Sequence, residues 1–408
     1  MGDAVNQNRV AVLLEKLAEK FDTAIQQEGG ATSQWGWGQF LDDSKERRQI
    51  GPYGTSAGMI VRALAQGVGA APDARPSAII TSWWREWKSG SGSGRKVFCQ
   101  NLRLAFFLLA LRLSSIDAAL SAEAEEELLK RNLGDDMWGD YWESDTDHDM
   151  TPSHLVTSTV VLAFTLCQPS PEGQTVSRLR RSVVRLEQRL LGDPQMPALQ
   201  ASFAAAAIMA LGPQNARAIR KQIARFAMSR DFSLADLGVY FYEYKCDGKA
   251  GTDYFIAPPA IVLATGAFSS SSPILLRQFG EQVAARLAKS LEKSDYGFKP
   301  DAEQRVSTKN QAWAALLLKA SLSPNANPTS LAGMVWYGLL RERPGNWWTE
   351  IVFPVALIAA SATEATFIGK LGIGWLFAAA TLGQAAVFGI AIRHLLPYWD
   401  RLFPTARS

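Results

Sequence analysis

A short, alanine-rich apolar stretch occurs six times in this 408-residue chain, and that recurrence limits the fold more than any other feature. The stretches are GTSAGMIVRALA from Gly54, NLRLAFFLLALRL from Asn101, SHLVTSTVVLAFTL from Ser153, QASFAAAAIMAL from Gln200, APPAIVLATGAF from Ala257 and NQAWAALLLKAS from Asn310. Successive starts lie 47, 52, 47, 57 and 53 residues apart. That regularity marks one supersecondary unit repeated, not six unrelated helices. Each stretch is apolar nearly all round, so it must be covered on most sides.

A more polar, amphipathic segment precedes each stretch, at 9 to 22, 76 to 88, 117 to 132, 176 to 191, 213 to 229 and 274 to 293. In RLRRSVVRLEQRLL, for example, Leu179, Val183, Leu186 and Leu190 share one stripe while Arg178, Arg181, Arg185 and Arg189 lie elsewhere. Polar helices outside and apolar helices inside predict an all-α fold, an (α/α)6 toroid of six helical hairpins. No strand-hairpin pattern is evident between residues 9 and 321.

The C-terminus reads differently. IVFPVALIAASATEATFIG, 351 to 369, and LGIGWLFAAATLGQAAVFGIAI, 371 to 392, are apolar segments separated by Lys370. At ~1.5 Å per residue each is long enough to cross a hydrocarbon core of ~30 Å, which predicts a two-helix transmembrane hairpin. Arg341 and Arg343 before the pair, and Arg393 and Arg401 after it, place both ends in the cytoplasm of an inner-membrane protein. Glu364 and Gln384 fall inside the spans, where a carboxyl is costly unless paired or facing water, and small residues on both segments suit close packing and homo-oligomerisation. The expected boundaries are a toroid over 1–323, a connecting helix over 324–348, the hairpin over 349–398 and a cytoplasmic tail over 399–408.

Within the ring, the loops that lead into the inner helices gather at one mouth. They carry Trp35, Trp37, Tyr53, Trp138, Tyr141, Trp142, Tyr242 and Tyr254, an aromatic set suited to a sugar face, an isoprenoid chain or a peptide. WESDTDHDM, 142 to 150, adds Asp145, Asp147 and Asp149 on alternate positions with His148 between them. Two readings of this acidic run stand. It supplies acid chemistry or ligand contacts at the mouth, or it is a solvated loop capping the helix that follows. As an EF-hand calcium loop it fails, because Met150 stands where a glycine belongs and Val156 where a bidentate glutamate belongs, which leaves an irregular Ca²⁺ or Mg²⁺ site on these oxygens as a further reading.

WGWGQF, IGPYGTSAGMIVRAL and the repeat of about 50 residues together resemble the α/α toroids of the terpenoid cyclase and protein prenyltransferase superfamily over residues 9 to 321. The resemblance implies a squalene-cyclase-like helical ring. Through the family's aspartate-rich acid motif it also implies that Asp145, Asp147 and Asp149 are the catalytic candidates. Asp145-Thr146-Asp147-His148 departs from that motif at its last position. The zinc sites of the family's transferases find only Cys246, Asp247, Asp253, His148 and His154 as partners here, with no second cysteine in a mouth loop, so the metal and any other cofactor stay unassigned.

A net charge of +3 over the whole chain excludes general nucleic-acid binding, and three scattered cysteines exclude a disulfide framework. Two functions follow as expectations. One is a membrane-anchored cytoplasmic binding or sensing module, of the kind found in a bacterial defence-type membrane effector, whose mouth takes a small molecule or peptide. The other is a cyclase-like or transferase-like enzyme acting on an isoprenoid or other membrane-derived substrate.

Overall fold

The computed structural model describes residues 7–28, 34–42, 50–66, 74–90, 98, 100–140, 152–166, 173–227, 241–246, 249–255, 257–268, 274–299 and 305–322. Among them the fold is all-α. The polar helices of the repeat are α1 (Gln7–Ala24), α3 (Ala74–Ser89), α5 (Ala118–Lys130), α7 (Gly173–Gly192), α9 (Ala216–Ala227) and α11 (Ile274–Lys293). They alternate with the apolar helices α2 (Pro52–Gln66), α4 (Asn101–Ser114), α6 (His154–Thr165), α8 (Ala198–Leu211), α10 (Pro259–Ala267) and α12 (Thr308–Ser321). α9 starts three residues later than its periodicity predicts, because Gly212 is left-handed (φ 85°) and Pro213 follows it.

Two short antiparallel hairpins are additions that the periodicity does not anticipate. β1 (Gln26–Glu28) pairs with β2 (Gln34–Gly36), and β3 (Phe241–Cys246) with β4 (Lys249–Phe255). The second had a sequence signal, since Asp-Gly between tyrosine-rich runs is the dipeptide pattern that favours a two-residue hairpin loop.

The apolar helices are neighbours in a closed cycle: α2 lies against α4, α4 against α6, α6 against α8, α8 against α10, α10 against α12, and α12 against α2. Small side chains permit this crowding. A Cβ on Gly266 of α10 would fall 2.7 Å from the Cα of Ala206 on α8, so those two backbones meet directly. Phe203 of α8 meets Trp313 of α12 edge to face at 5.4 Å. The polar helices cover this core, and the first and last of them meet where Arg9 of α1 makes two bonds of 2.9 Å to Glu292 of α11. That exposed pair contributes little by itself. Closure rests on the buried α12–α2 contact and on backbone bonds, Leu41 N–H to Val306 O (2.9 Å) and Thr308 N–H to Gln39 O (3.0 Å).

One loop device recurs. Trp37 donates its indole N–H to Phe21 O (2.7 Å) and Trp138 donates its own to Leu128 O (2.7 Å). Each acceptor is one of the last four carbonyls of a polar helix, α1 or α5, which lack an intrahelical donor. The Trp37 amide then donates to Thr55 Oγ1 of α2, as the Trp138 amide does to Thr157 Oγ1 of α6. The next residue serves a third helix: Gly38 O accepts from Thr308 of α12, and Gly139 O from Asn101 of α4. In the sixth repeat Phe298 takes the tryptophan's place, exchanging both backbone groups with the Gln311 amide. A Cβ on Gly54 would collide with the Trp37 and Gly38 carbonyls. Gly54→Ala is therefore expected to destabilise the protein by about 1–3 kcal/mol, read by urea unfolding, whereas Gly134→Ala, which meets nothing, should leave stability within about 0.5 kcal/mol.

The chain divides into two compact units, Asp3–Asn327 and Pro328–Ser408 with Met1–Gly2. Among the described residues no helix is long and apolar enough to cross a membrane. The segments 351–369 and 371–392, with Glu364 and Gln384, lie outside those residues.

Candidate functional site

The helix starts that the loop device ties together carry an unexpected group of charges. Tyr53 is the second residue of α2 and is 7% exposed. The Lys309 ammonium, second in α12, sits 4.2 Å from the centre of its ring, and the Arg103 guanidinium, third in α4, sits 5.7 Å from it. Phe106 backs the phenol at 5.9 Å. Beside them the Arg305 guanidinium lies 3.9 Å over Phe40. Lys309 is 5% exposed although it is a lysine.

A π face attracts a cation, by an amount that grows as water is excluded. The N-terminal turns of α2, α4 and α12 add their positive ends at the same place. The described part of this pole thus brings cations and aromatic rings together, with the Asp42 carboxylate accepting from the Val306 amide at 2.9 Å nearby, while the acidic run 142–150 lies outside the described residues. The signal was present as a lysine in the first turn of the apolar helix TKNQAWAALLLKAS, a position the other apolar helices fill with the uncharged Tyr53, Leu102, Leu155, Leu199 and Ala260.

The aromatic candidates separate. Trp37 and Trp138 are 0% exposed and belong to the core, with both indole donors satisfied, so they present no surface to a ligand. The sequence could not reveal this, because a loop tryptophan looks the same whether it faces a cavity or a helix carbonyl. Trp35, on β2, is half-buried beneath the Arg75 guanidinium of α3 at 5.1 Å. Tyr242 and Tyr254 pair in register across β3 and β4. Among the described aromatic side chains of the candidate set, Tyr53 joins the cationic group. Tyr141, Trp142, Asp145, Asp147, His148 and Asp149 lie outside the described residues.

The cap of α6 is Ser153, whose hydroxyl accepts from the Val156 amide at 3.3 Å. His154 follows it half-buried. Burial, and then the Arg189 charge, hold its imidazole below the ordinary histidine value against the opposing pull of Asp135 and Asp193. Among the described residues no three His, Cys, Asp or Glu side chains come together as a metal site. Phe203 and Trp313 meet edge to face at the sixth residue of α8 and of α12. Comparison with protein-family models, with curated proteins and with solved structures finds no match to this chain.

Proposed function

We propose that residues 3–327 are an (α/α)6 toroid acting as a binding or sensing module, held at the cytoplasmic face of a membrane by a hairpin of residues 351–369 and 371–392. The closed cycle of apolar helix neighbours supports the toroid. The observation that carries the binding role is Lys309, buried against Tyr53 with Arg103 on the same ring. Two cations, a π face and converging helix N-termini favour an anionic group on a small molecule or a peptide. An isoprenoid chain instead needs a deep apolar chamber, and the Phe203–Trp313 contact weighs against one at that level. The joining of such a module to a polar-marked hairpin fits a defence-type effector in which occupancy of the ring controls an oligomerising membrane segment.

The test compares the full-length chain with one ending at Asn327, the end of the first compact unit. Full-length protein is expected to resist carbonate extraction from membranes and the shortened chain to be released. Membrane potential is followed in the same cells. Depolarisation by the full-length chain alone assigns the hairpin an effector role, and quiet insertion makes it an anchor. A full-length chain that purifies as a soluble monomer without detergent would overturn the reading.

A further inference from the structure

The outer surface of α7 and α9 concentrates positive charge far beyond the chain's average. α7 carries Arg178, Arg180, Arg181, Arg185 and Arg189 with Glu187 as its one acid, and α9 carries Arg217, Arg220, Lys221 and Arg225 with none. The two helices are neighbours. Glu187 does not offset the surface charge, because it is buried and its carboxylate accepts the amides of Gln214 (2.9 Å) and Asn215 (2.6 Å), fixing the start of α9 to α7.

Some of the arginines have structural work. Arg181 pairs with Asp136, Arg189 with Asp193, and Arg178 donates to Leu129 O. Arg180, Arg185, Lys221 and Arg225 are exposed, and among the described residues none of them meets a carboxylate. Arg185 and Arg225 reach only the neutral amides of Gln188 and Gln222. The acidic helix α5 is the opposite case: Glu123, Glu125, Glu126 and Glu127 each have a partner, in Trp84, Arg112, Lys130 and the pair Lys88 and Arg131. Lys221 and Arg225 also stand at i and i+4, a spacing at which like charges repel. Such a face is stabilised by a polyanion.

We infer that the α7–α9 face is a docking surface for an anionic lipid bilayer. The inference rests on the membrane association proposed above. Two side-by-side helices carrying dispersed cations, with Leu191 exposed at the end of α7, match a charged headgroup plane bordered by acyl chain. Single-stranded nucleic acid calls for stacking platforms, and the exposed described residues of α7 and α9 include no aromatic.

The experiment places a fluorophore at Gln188→Cys in the full-length chain, with Cys99, Cys167 and Cys246 changed to serine, and measures energy transfer to a headgroup-labelled lipid. Vesicles contain phosphatidylcholine alone or with about 30 mol% phosphatidylglycerol. Transfer is expected to be high only with phosphatidylglycerol at about 50 mM salt and to disappear at about 500 mM. Arg180→Glu, Arg185→Glu, Lys221→Glu and Arg225→Glu together should reduce the docked population at least about tenfold, and the corresponding arginine-to-lysine changes should preserve it.

Carbonate resistance, measured on the same samples, reports the hairpin separately. If the unmodified chain is extracted, the hairpin reading fails, and salt-sensitive flotation with phosphatidylglycerol vesicles still supports docking by this face. Equal transfer on both lipids, or transfer unchanged by charge reversal in a variant with normal helical content, overturns the inference. Charge-dependent binding of an oligonucleotide of about 20 residues without lipid selectivity overturns it in favour of nucleic acid.

Discussion

Trp138→Ala should lower stability by about 3–5 kcal/mol, the range for removing a fully buried indole, measured by urea unfolding. The ring is 0% exposed, and its loss leaves a cavity between α5 and α6. Its N–H also serves Leu128 O near the end of α5, which otherwise accepts at 3.2 Å from the Arg131 amide. Trp138→Phe keeps most of the ring and loses only that donor, so it should cost about 1–2 kcal/mol more than a conservative core exchange. Trp37→Ala should match Trp138→Ala, because Trp37 makes the same three-helix connection at Phe21, Thr55 and, through Gly38, Thr308. Should either alanine variant lose less than about 1 kcal/mol, the scaffold role of these residues fails.

Arg131→Met is expected to cost about 3–5 kcal/mol, as breaking a buried ion pair does. The guanidinium is fully buried. It bonds Glu127 (3.0 Å), Phe98 O (2.7 Å) and Asn101 Oδ1 (3.2 Å) and lies 4.9 Å from the centre of the Trp87 ring. Removing it strands a carbonyl, an amide oxygen and part of a carboxylate between α3, α4 and α5. A double change, Arg131→Met with Glu127→Leu, should recover much of the loss, because no unpaired charge is left behind.

The pH dependence has a definite sign. Burial pushes the Glu127 carboxyl up, but the Lys88 hydrogen bond and the Arg131 charge and hydrogen bond outweigh it and hold the carboxyl below its ordinary value. A depressed glutamate stabilises the fold above its unfolded value, and that contribution is lost as pH falls through the folded one. The gap in stability between wild type and Arg131→Met should accordingly narrow on acidification. A gap constant from neutral pH down to the acid limit of folding would remove Glu127 from the account.

The inner helices were legible because burial on every side leaves a local mark. An alanine-rich segment such as QASFAAAAIMAL has no polar face to turn to water, and helix periodicity is written within a few residues. The polar helices were legible from a single stripe, so α11 spans Ile274–Lys293, the range its periodicity predicts. The β3–β4 hairpin escaped because its alternation is short and its turn signal is only two residues long.

Those local marks determined the helical class, the repeat and the approximate extent of its helices, since periodicity and turn chemistry act between residues near one another in the chain. Tertiary structure alone decided what the loop residues do. Whether Trp37 lines a cavity or caps a helix depends on which carbonyl it meets, and the loop it begins bonds a helix 270 residues away through Gly38 O and Thr308. Lys309 and Tyr53 lie near opposite ends of the helical repeat's sequence and share one site because α12 packs against α2. No pattern within either segment encodes that meeting, because the energy that brings them together is the burial of the apolar faces of two distant helices.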